Sequence, residues 1–283
     1  MVAAFAACVL EIGAASLAAR AVEPVAESKA AAKHGPVEVL FDASGDPLRT
    51  IDSKLTTRNW SGYILPHYLT KKSYTAGQAT WTVPTVTYDG VEAASASWIG
   101  IGGFCTSKKC TAVDRTLIQL GTEQDAISDG GISYYAWYEI LPAEESPTPL
   151  EVNPGDVITA SLSCEGDCED NQWTLAMTNE TTSETWSHTI TYESSELSLE
   201  VIQEAPSDLS SVLPLADFGT ITFSGTTANS VRANLSRGDR VVMEDEQSPD
   251  EFESSNVSIP DAIHDGFNAC FNAQKKLIKC RKP

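Results

Sequence analysis

Three β-type runs in this chain carry a polar residue where an apolar one would be expected. In TLIQLG, Gln119 shares a strand face with Leu117; in ISYYAWYEILP, Glu139 shares one with Tyr135, Trp137 and Leu141. In LEVIQEAP, Glu204 lies on the same face as Ile202 and Glu200. These assignments follow from the alternation of side chains along a strand. A carboxylate or amide among aromatics is either satisfied by hydrogen bonds or lines a cleft. If the three strands are neighbours in a bent sheet, Gln119, Glu139 and Glu204 converge on its concave side. The alternative is three separate polar residues, each satisfied at a sheet edge.

Several other chemistries lack their residues. There is no H-E-x-x-H, no G-x-S-x-G nucleophile elbow and no D-[ST]-G, and the four histidines (34, 67, 188 and 264) are scattered. GIGG (Gly100 to Gly103) has no helix after it and reads as a turn. Beyond Cys8, the cysteines fall into three close pairs: Cys105 with Cys110, Cys164 with Cys168, and Cys270 with Cys280. Their spacings and the lack of nearby histidine argue against zinc, so disulfides formed in an oxidising compartment are expected.

The elements that must position these residues are all of one kind. From Asn59 onward, short runs rich in Val, Ile, Thr, Trp and Tyr alternate with turn residues, and no stretch of helical period intervenes. About a dozen strands at this spacing predict an all-β sandwich or jelly roll. Residues 22–57 lack a sustained pattern and read as a linker or short propeptide. The acidic segment Asp245 to Asn256 reads as a mobile loop.

The ordered series NWSGYIL, SWIGIGG, LIQLG, YYAWYEILP and LEVIQEAP resembles the glutamic peptidase (eqolisin) family, over roughly residues 59–224. The resemblance implies a bacterial-type member built as two antiparallel sheets in a concanavalin-like sandwich with a concave cleft. It implies cleavage of peptide bonds in acid, without metal or cofactor, by a Gln/Glu dyad. The dyad falls on Gln119 and Glu204; Glu139 matches a supporting acid, and Trp98 the tryptophan of the Trp-x-Gly run. Trp98 and Trp137 would supply apolar subsites. Familiar fungal members carry acids where this chain has Gly102 and Tyr135, so Tyr135 marks a departure beside the dyad. The chemistry suits the pair: a carboxyl with an ordinary pKa of about 4.3 can serve as base and then acid near that pH. A neutral amide can stabilise an oxyanion without being discharged by acid.

The chain has 283 residues, 19 basic against 39 acidic, for a net charge of −20. That balance argues against nucleic acid and anionic membranes as partners and leaves a polypeptide as the expected one, with a monomer as default. Residues 1–21 are apolar and end in a small-x-small pattern. They read as an imperfect signal for export to an extracellular or periplasmic space, despite Glu11 and the lack of a basic start. The resulting plan is a signal (1–21), a leader or propeptide (22–57), and one catalytic sandwich (58–283) with an unplaced C-terminal extension. Two other readings fit the same sandwich. A jelly-roll glycoside hydrolase would use Glu139 and Glu204 as its acid pair, and a carbohydrate-binding module would use the aromatics alone.

Overall fold

The computed structural model describes residues 32–127, 131–208, 211–244, 254–272 and 279–283. The expected signal segment and Cys8 lie outside the described residues. The strands, in chain order, are β1 (Leu55–Thr57), β2 (Trp60–Pro66), β3 (Ala76–Thr82), β4 (Ala93–Gly102), β5 (Leu117–Ala126) and β6 (Ile132–Ile140). They continue as β7 (Ser146–Pro147), β8 (Val157–Cys164), β9 (Gln172–Asn179), β10 (Glu184–Thr191) and β11 (Ser198–Glu204). The last are β12 (Thr220–Ala228), β13 (Val231–Arg232), β14 (Asp239–Glu244), β15 (Ser254–Val257) and β16 (Phe267–Asn272). Among the described residues the α-helical content is one turn, α1 (His67–Thr70).

The strands form one hydrogen-bonded path in the order β10-β9-β8-β3-β12-β16-β15-β14-β2-β11-β4-β5-β6-β7. Its pairs are antiparallel; off the path, β13 pairs antiparallel with β12, and β1 joins β14 in parallel. The path folds over so that its two halves face one another, with β4 and β5 against β3 and β8. The inner faces supply the main core: Trp81, Ile158, Leu162, Trp173, Leu175 and Phe223 from one half, and Tyr63, Ile99, Ile101, Leu120 and Val201 from the other. The two sheets of the expected sandwich are thus halves of a single ladder, joined through β16, β15 and β14.

Three parts of the chain differ from their sequence reading. Residues 37–57 are packed structure. Val37, Leu40 and Leu55 are buried, Arg49 forks onto Asp239 with two 2.9 Å hydrogen bonds, and β1 extends the sheet. The C-terminal quarter is integral, because β12 to β16 bridge the two halves. Of the acidic segment read as a loop, residues 245–253 lie outside the described residues, and its end, Ser254, Ser255 and Asn256, is buried in β15. These elements escaped the pattern because they are short and polar: DRVVME, SSNV and FNACFN lack the clean alternation of the longer strands. All three disulfides form between nearest neighbours, Cys105–Cys110, Cys164–Cys168 and Cys270–Cys280. The sequence holds four N-x-[ST] sequons, at Asn59, Asn179, Asn234 and Asn256; Asn59, Asn179 and Asn256 are buried and Asn234 is exposed.

Candidate active site

The outer face of β2-β11-β4-β5-β6 forms three rows of residues facing one another across the strands. One row runs Trp60, Glu204, Ala96, Glu123, Tyr135; the next Gly62, Ile202, Trp98, Gly121, Trp137; the third Ile64, Glu200, Gly100, Gln119, Glu139. Glycines in the second and third rows make the floor concave. A Cβ on Gly121 would strike the Ser97 carbonyl and lie 2.5 Å from the Trp98 Cβ, and one on Gly100 would lie 2.9 Å from the Trp98 ring. The bulk of Trp98 is accommodated by its glycine neighbours. The sheet therefore gathers Gln119, Glu139, Glu204, Trp98, Trp137 and Tyr135 on one face.

Glu204 is fully buried and held at both oxygens. Trp98 Nε1 donates to its Oε2 at 2.7 Å, and Trp60 Nε1 donates to its Oε1 at 3.2 Å. Burial pushes the Glu204 carboxyl above the ordinary carboxylate range, and the donors from His34, Trp98 and Trp60 pull against that shift without cancelling it. Glu139, stripped of water in the same way, is pushed up to about 7 despite the opposing influence of His34. Gln119 Nε2 lies 3.4 Å from Glu139 Oε2, while Gln119 Oε1 has no hydrogen-bond partner among the described residues. Glu200 is also buried, and its carboxyl is pushed well up by the loss of solvent. It adds a second acid to the third row.

The leader closes this face. Lys33 bridges to Ser207, Val37 N donates to the Gly103 carbonyl at 3.0 Å, and between them His34 descends into the cleft with no exposed surface. Its ring stacks on Trp137 at 3.5 Å between centroids and 5° between planes. Its Nδ1 lies 3.0 Å from Glu204 Oε2; its Nε2 lies 2.9 Å from Glu123 Oε2 and 3.1 Å from Glu145 Oε2. Its backbone N donates to Glu139 Oε2 at 2.8 Å, and its carbonyl accepts from Gln119 Nε2 at 2.5 Å. Burial alone would discharge the imidazole, but the Glu123 carboxylate and the hydrogen bonds that the ring donates to Glu123, Glu145 and Glu204 hold it protonated well above its ordinary range.

His34, Glu123, Glu145 and Trp60 were not picked out from the sequence. Glu123 carried a signal, since it lies four residues after Gln119 and alternation places it on the same face. His34 lies in a patternless leader and Glu145 in a loop, so neither carried one. The departures at Gly102 and Tyr135 also have a structural setting. Gly102 has φ 96° and no room for a Cβ beside the Thr116 carbonyl. Tyr135 donates its hydroxyl to Glu145 Oε1 at 3.1 Å, and burial beside Glu123 keeps that hydroxyl protonated. Glu123, opposite Tyr135 on the neighbouring strand, and Glu145, which accepts from its hydroxyl, place two acids beside it. His34, Glu123 and Glu145 could together approach a cation, but their separations are those of an imidazolium shared between carboxylates.

A folded-over β sandwich with an acid- and amide-lined concave face is the architecture of the glutamic peptidases. Residues 58–263 match the Peptidase A4 family, and the chain belongs to it. It is 25% identical over 224 residues to aspergillopepsin-2 of Aspergillus niger, covering 71% of this chain and 74% of that protein. Its fold is similar to that of scytalido-glutamic peptidase solved with a transition-state analogue, with a TM-score of 0.59, 20% identity, and coverage of 76% of this chain and 98% of the other. The eqolisin SCP-B, solved with the tripeptide Ala-Ile-His, aligns with a TM-score of 0.55 at 20% identity over the same shares. The protein is a glutamic-type endopeptidase whose substrate is polypeptide. No helix among the described residues is long and apolar enough to cross a membrane, and the three disulfides are consistent with secretion.

Proposed function

We propose that the protein is an acid endopeptidase in which Glu204 activates water and Gln119 stabilises the oxyanion, without metal or cofactor and without sensitivity to pepstatin. The observation that carries this reading is the peptide already lying in the cleft. The His34 carbonyl accepts from Gln119 Nε2 while Glu204 faces the same residue. A substrate carbonyl in that place has an amide donor on its oxygen and a carboxyl within reach of a water.

In the reaction, ionised Glu204 takes a proton from water as the water oxygen bonds to the carbonyl carbon. The C=O pair moves onto oxygen and is held by the Gln119 N–H. Glu204 then gives the proton to the amide nitrogen, the C–N bond breaks, and an acid and an amine leave. Trp98 and Trp60 orient Glu204 and offset part of the penalty of burying its charge. Substrate enters only when the leader has left, so we read the stretch ending at Gly35–Pro36 as an inhibitory segment. Residues 37–57 stay with the body. A monomer is sufficient, since the residues assigned roles here belong to one chain.

The test is digestion of a denatured protein from acid to neutral pH, with pepstatin and EDTA present, by the parent chain and by Glu204→Gln. Cleavage confined to acid and absent from the variant supports the reading. Cleavage blocked by pepstatin or EDTA refutes it. N-terminal sequencing of the active material places the start of the working chain, and a fully active chain that retains residues 22–36 would refute the inhibitory segment.

A further inference from the structure

We propose that a groove lined by Lys54, Arg240, Lys279, Arg281 and Lys282 is a second contact for the polypeptide substrate, and that it takes a segment bearing phosphorylated side chains. The inference rests on the peptidase reading for the cleavage that follows, while binding in the groove does not depend on the roles of Gln119 and Glu204.

The groove, of about 650 Å³, lies among the ends of β1, β14 and β15 and the C-terminal tail. It gathers five of the chain's 19 basic residues against one acid, Asp52, in a protein of net charge −20. A reversal of sign within a concave site focuses anions there. Three separate segments bring the cations together. Lys54 leads into β1, donates to Asn256 Oδ1 at 2.8 Å and pairs with Asp52 at 2.9 Å. Arg240 of β14 donates to the Asp52 carbonyl at 3.0 Å. The tail is fixed by the Cys270–Cys280 disulfide and by Asn268 Nδ2, which donates to the Arg281 carbonyl at 3.0 Å. Lys279, Arg281 and Lys282 are exposed and have no carboxylate partner among the described residues, so their charges are open to a ligand.

The groove stands apart from the catalytic face. Arg240 is paired with Tyr63, whose side chain belongs to the main core, so it projects away from the rows that hold Gly62 and Ile64. A chain in the groove therefore does not compete with one in the cleft. An anion carried on the cleaved chain gains the effective concentration that linkage supplies. Acid selects the kind of anion. Burial would raise the Asp52 carboxyl, but Lys54, Thr50 and Arg240 hold it below its ordinary range, so the groove already stabilises one negative charge. At about pH 4 a peptide carboxylate is about half protonated. A phosphoserine keeps a full negative charge there, because only its second proton binds near about pH 6. Lysines offer point charges to its oxygens, and arginines offer a fork.

The test is titration calorimetry of the full chain at about pH 4 and low salt. The probe is a Gly/Ala octapeptide with two phosphoserines, beside the same peptide with serines and beside inorganic phosphate. The phosphopeptide should bind at least about tenfold more tightly than either, and Lys279→Ala, Arg281→Ala and Lys282→Ala combined should remove that advantage. Equal affinity for the two peptides, inorganic phosphate binding as tightly as the phosphopeptide, or an unchanged advantage in the variant overturns the proposal. A second arm follows cleavage of one quenched peptide by the active material, with and without the phosphoserine segment appended. The phosphorylated form should show a lower KM at equal kcat, and equal KM values would overturn the substrate role. If the phosphopeptide binds selectively but nothing is cleaved, the groove stands and the peptidase mechanism falls. Should the triple variant not fold, salt reads the same claim on the parent chain. Affinity for the phosphopeptide should fall at least about tenfold on raising salt to about 0.5 M, and salt-independent binding would overturn it.

Discussion

Replacing Glu139 by glutamine should remove a defined part of the dependence of stability on pH. The folded chain raises this carboxyl from 4.5 to about 7, so the folded state binds its proton over a range in which the unfolded chain has released it. Glu139 therefore contributes stability that is fully present below about 4.5 and is lost as pH rises through about 7. At about 1.4 kcal/mol per pKa unit, the contribution is about 3 kcal/mol. For a domain of this size that corresponds to a fall in melting temperature of roughly 6–12 °C between acid and neutral pH. The raised pKa values of Glu123, Glu200, Glu204 and His34 act with the same sign, so the parent should show an even steeper fall. The assay is thermal unfolding at intervals from pH 4 to pH 8 for the parent and Glu139→Gln. The variant should keep the amide's hydrogen-bonding capacity and show a shallower slope by about that amount. Identical slopes, or a parent that becomes more stable toward neutrality, would refute the reasoning.

Two further outcomes follow from the cleft floor. Trp98→Phe deletes a 2.7 Å donor to Glu204; losing a hydrogen bond to a charged acceptor, worth about 1.5 kcal/mol or more, should move the acid limb of the pH–rate profile up by about one unit. Gly121→Ala places a methyl against the Ser97 carbonyl and the Trp98 Cβ, and denaturant unfolding should register a loss of about 1–3 kcal/mol.

The long strands and the face that each polar residue occupies were legible in the sequence, because Val-, Thr- and Trp-rich runs with period-two alternation have few other readings. Gln119, Glu139 and Glu204 could each be assigned to a face of its own strand for that reason. The strand order that brings them together is a property of tertiary pairing, with β4 lying between β5 and β11, and no local pattern encodes it. Short strands such as β14 and β16 escaped because a run of six residues, a third to a half of them polar, is hard to tell from a turn. The cleft's occupant escaped for a different reason. His34 is held by groups that lie from 85 to 170 positions away in the chain, so the leader's role is written in the cleft and not in the leader.

The central claim is tested most directly by steady-state rates on one internally quenched peptide at acid pH, for His34→Ala alone and with Glu204→Gln or Gln119→Ala added. The account predicts cleavage by the first, a fall to background with Glu204→Gln, and a loss of about a hundredfold or more in kcat with Gln119→Ala. Rates within about tenfold of the reference when Glu204 is replaced would contradict it, because a general base normally contributes about a hundredfold or more.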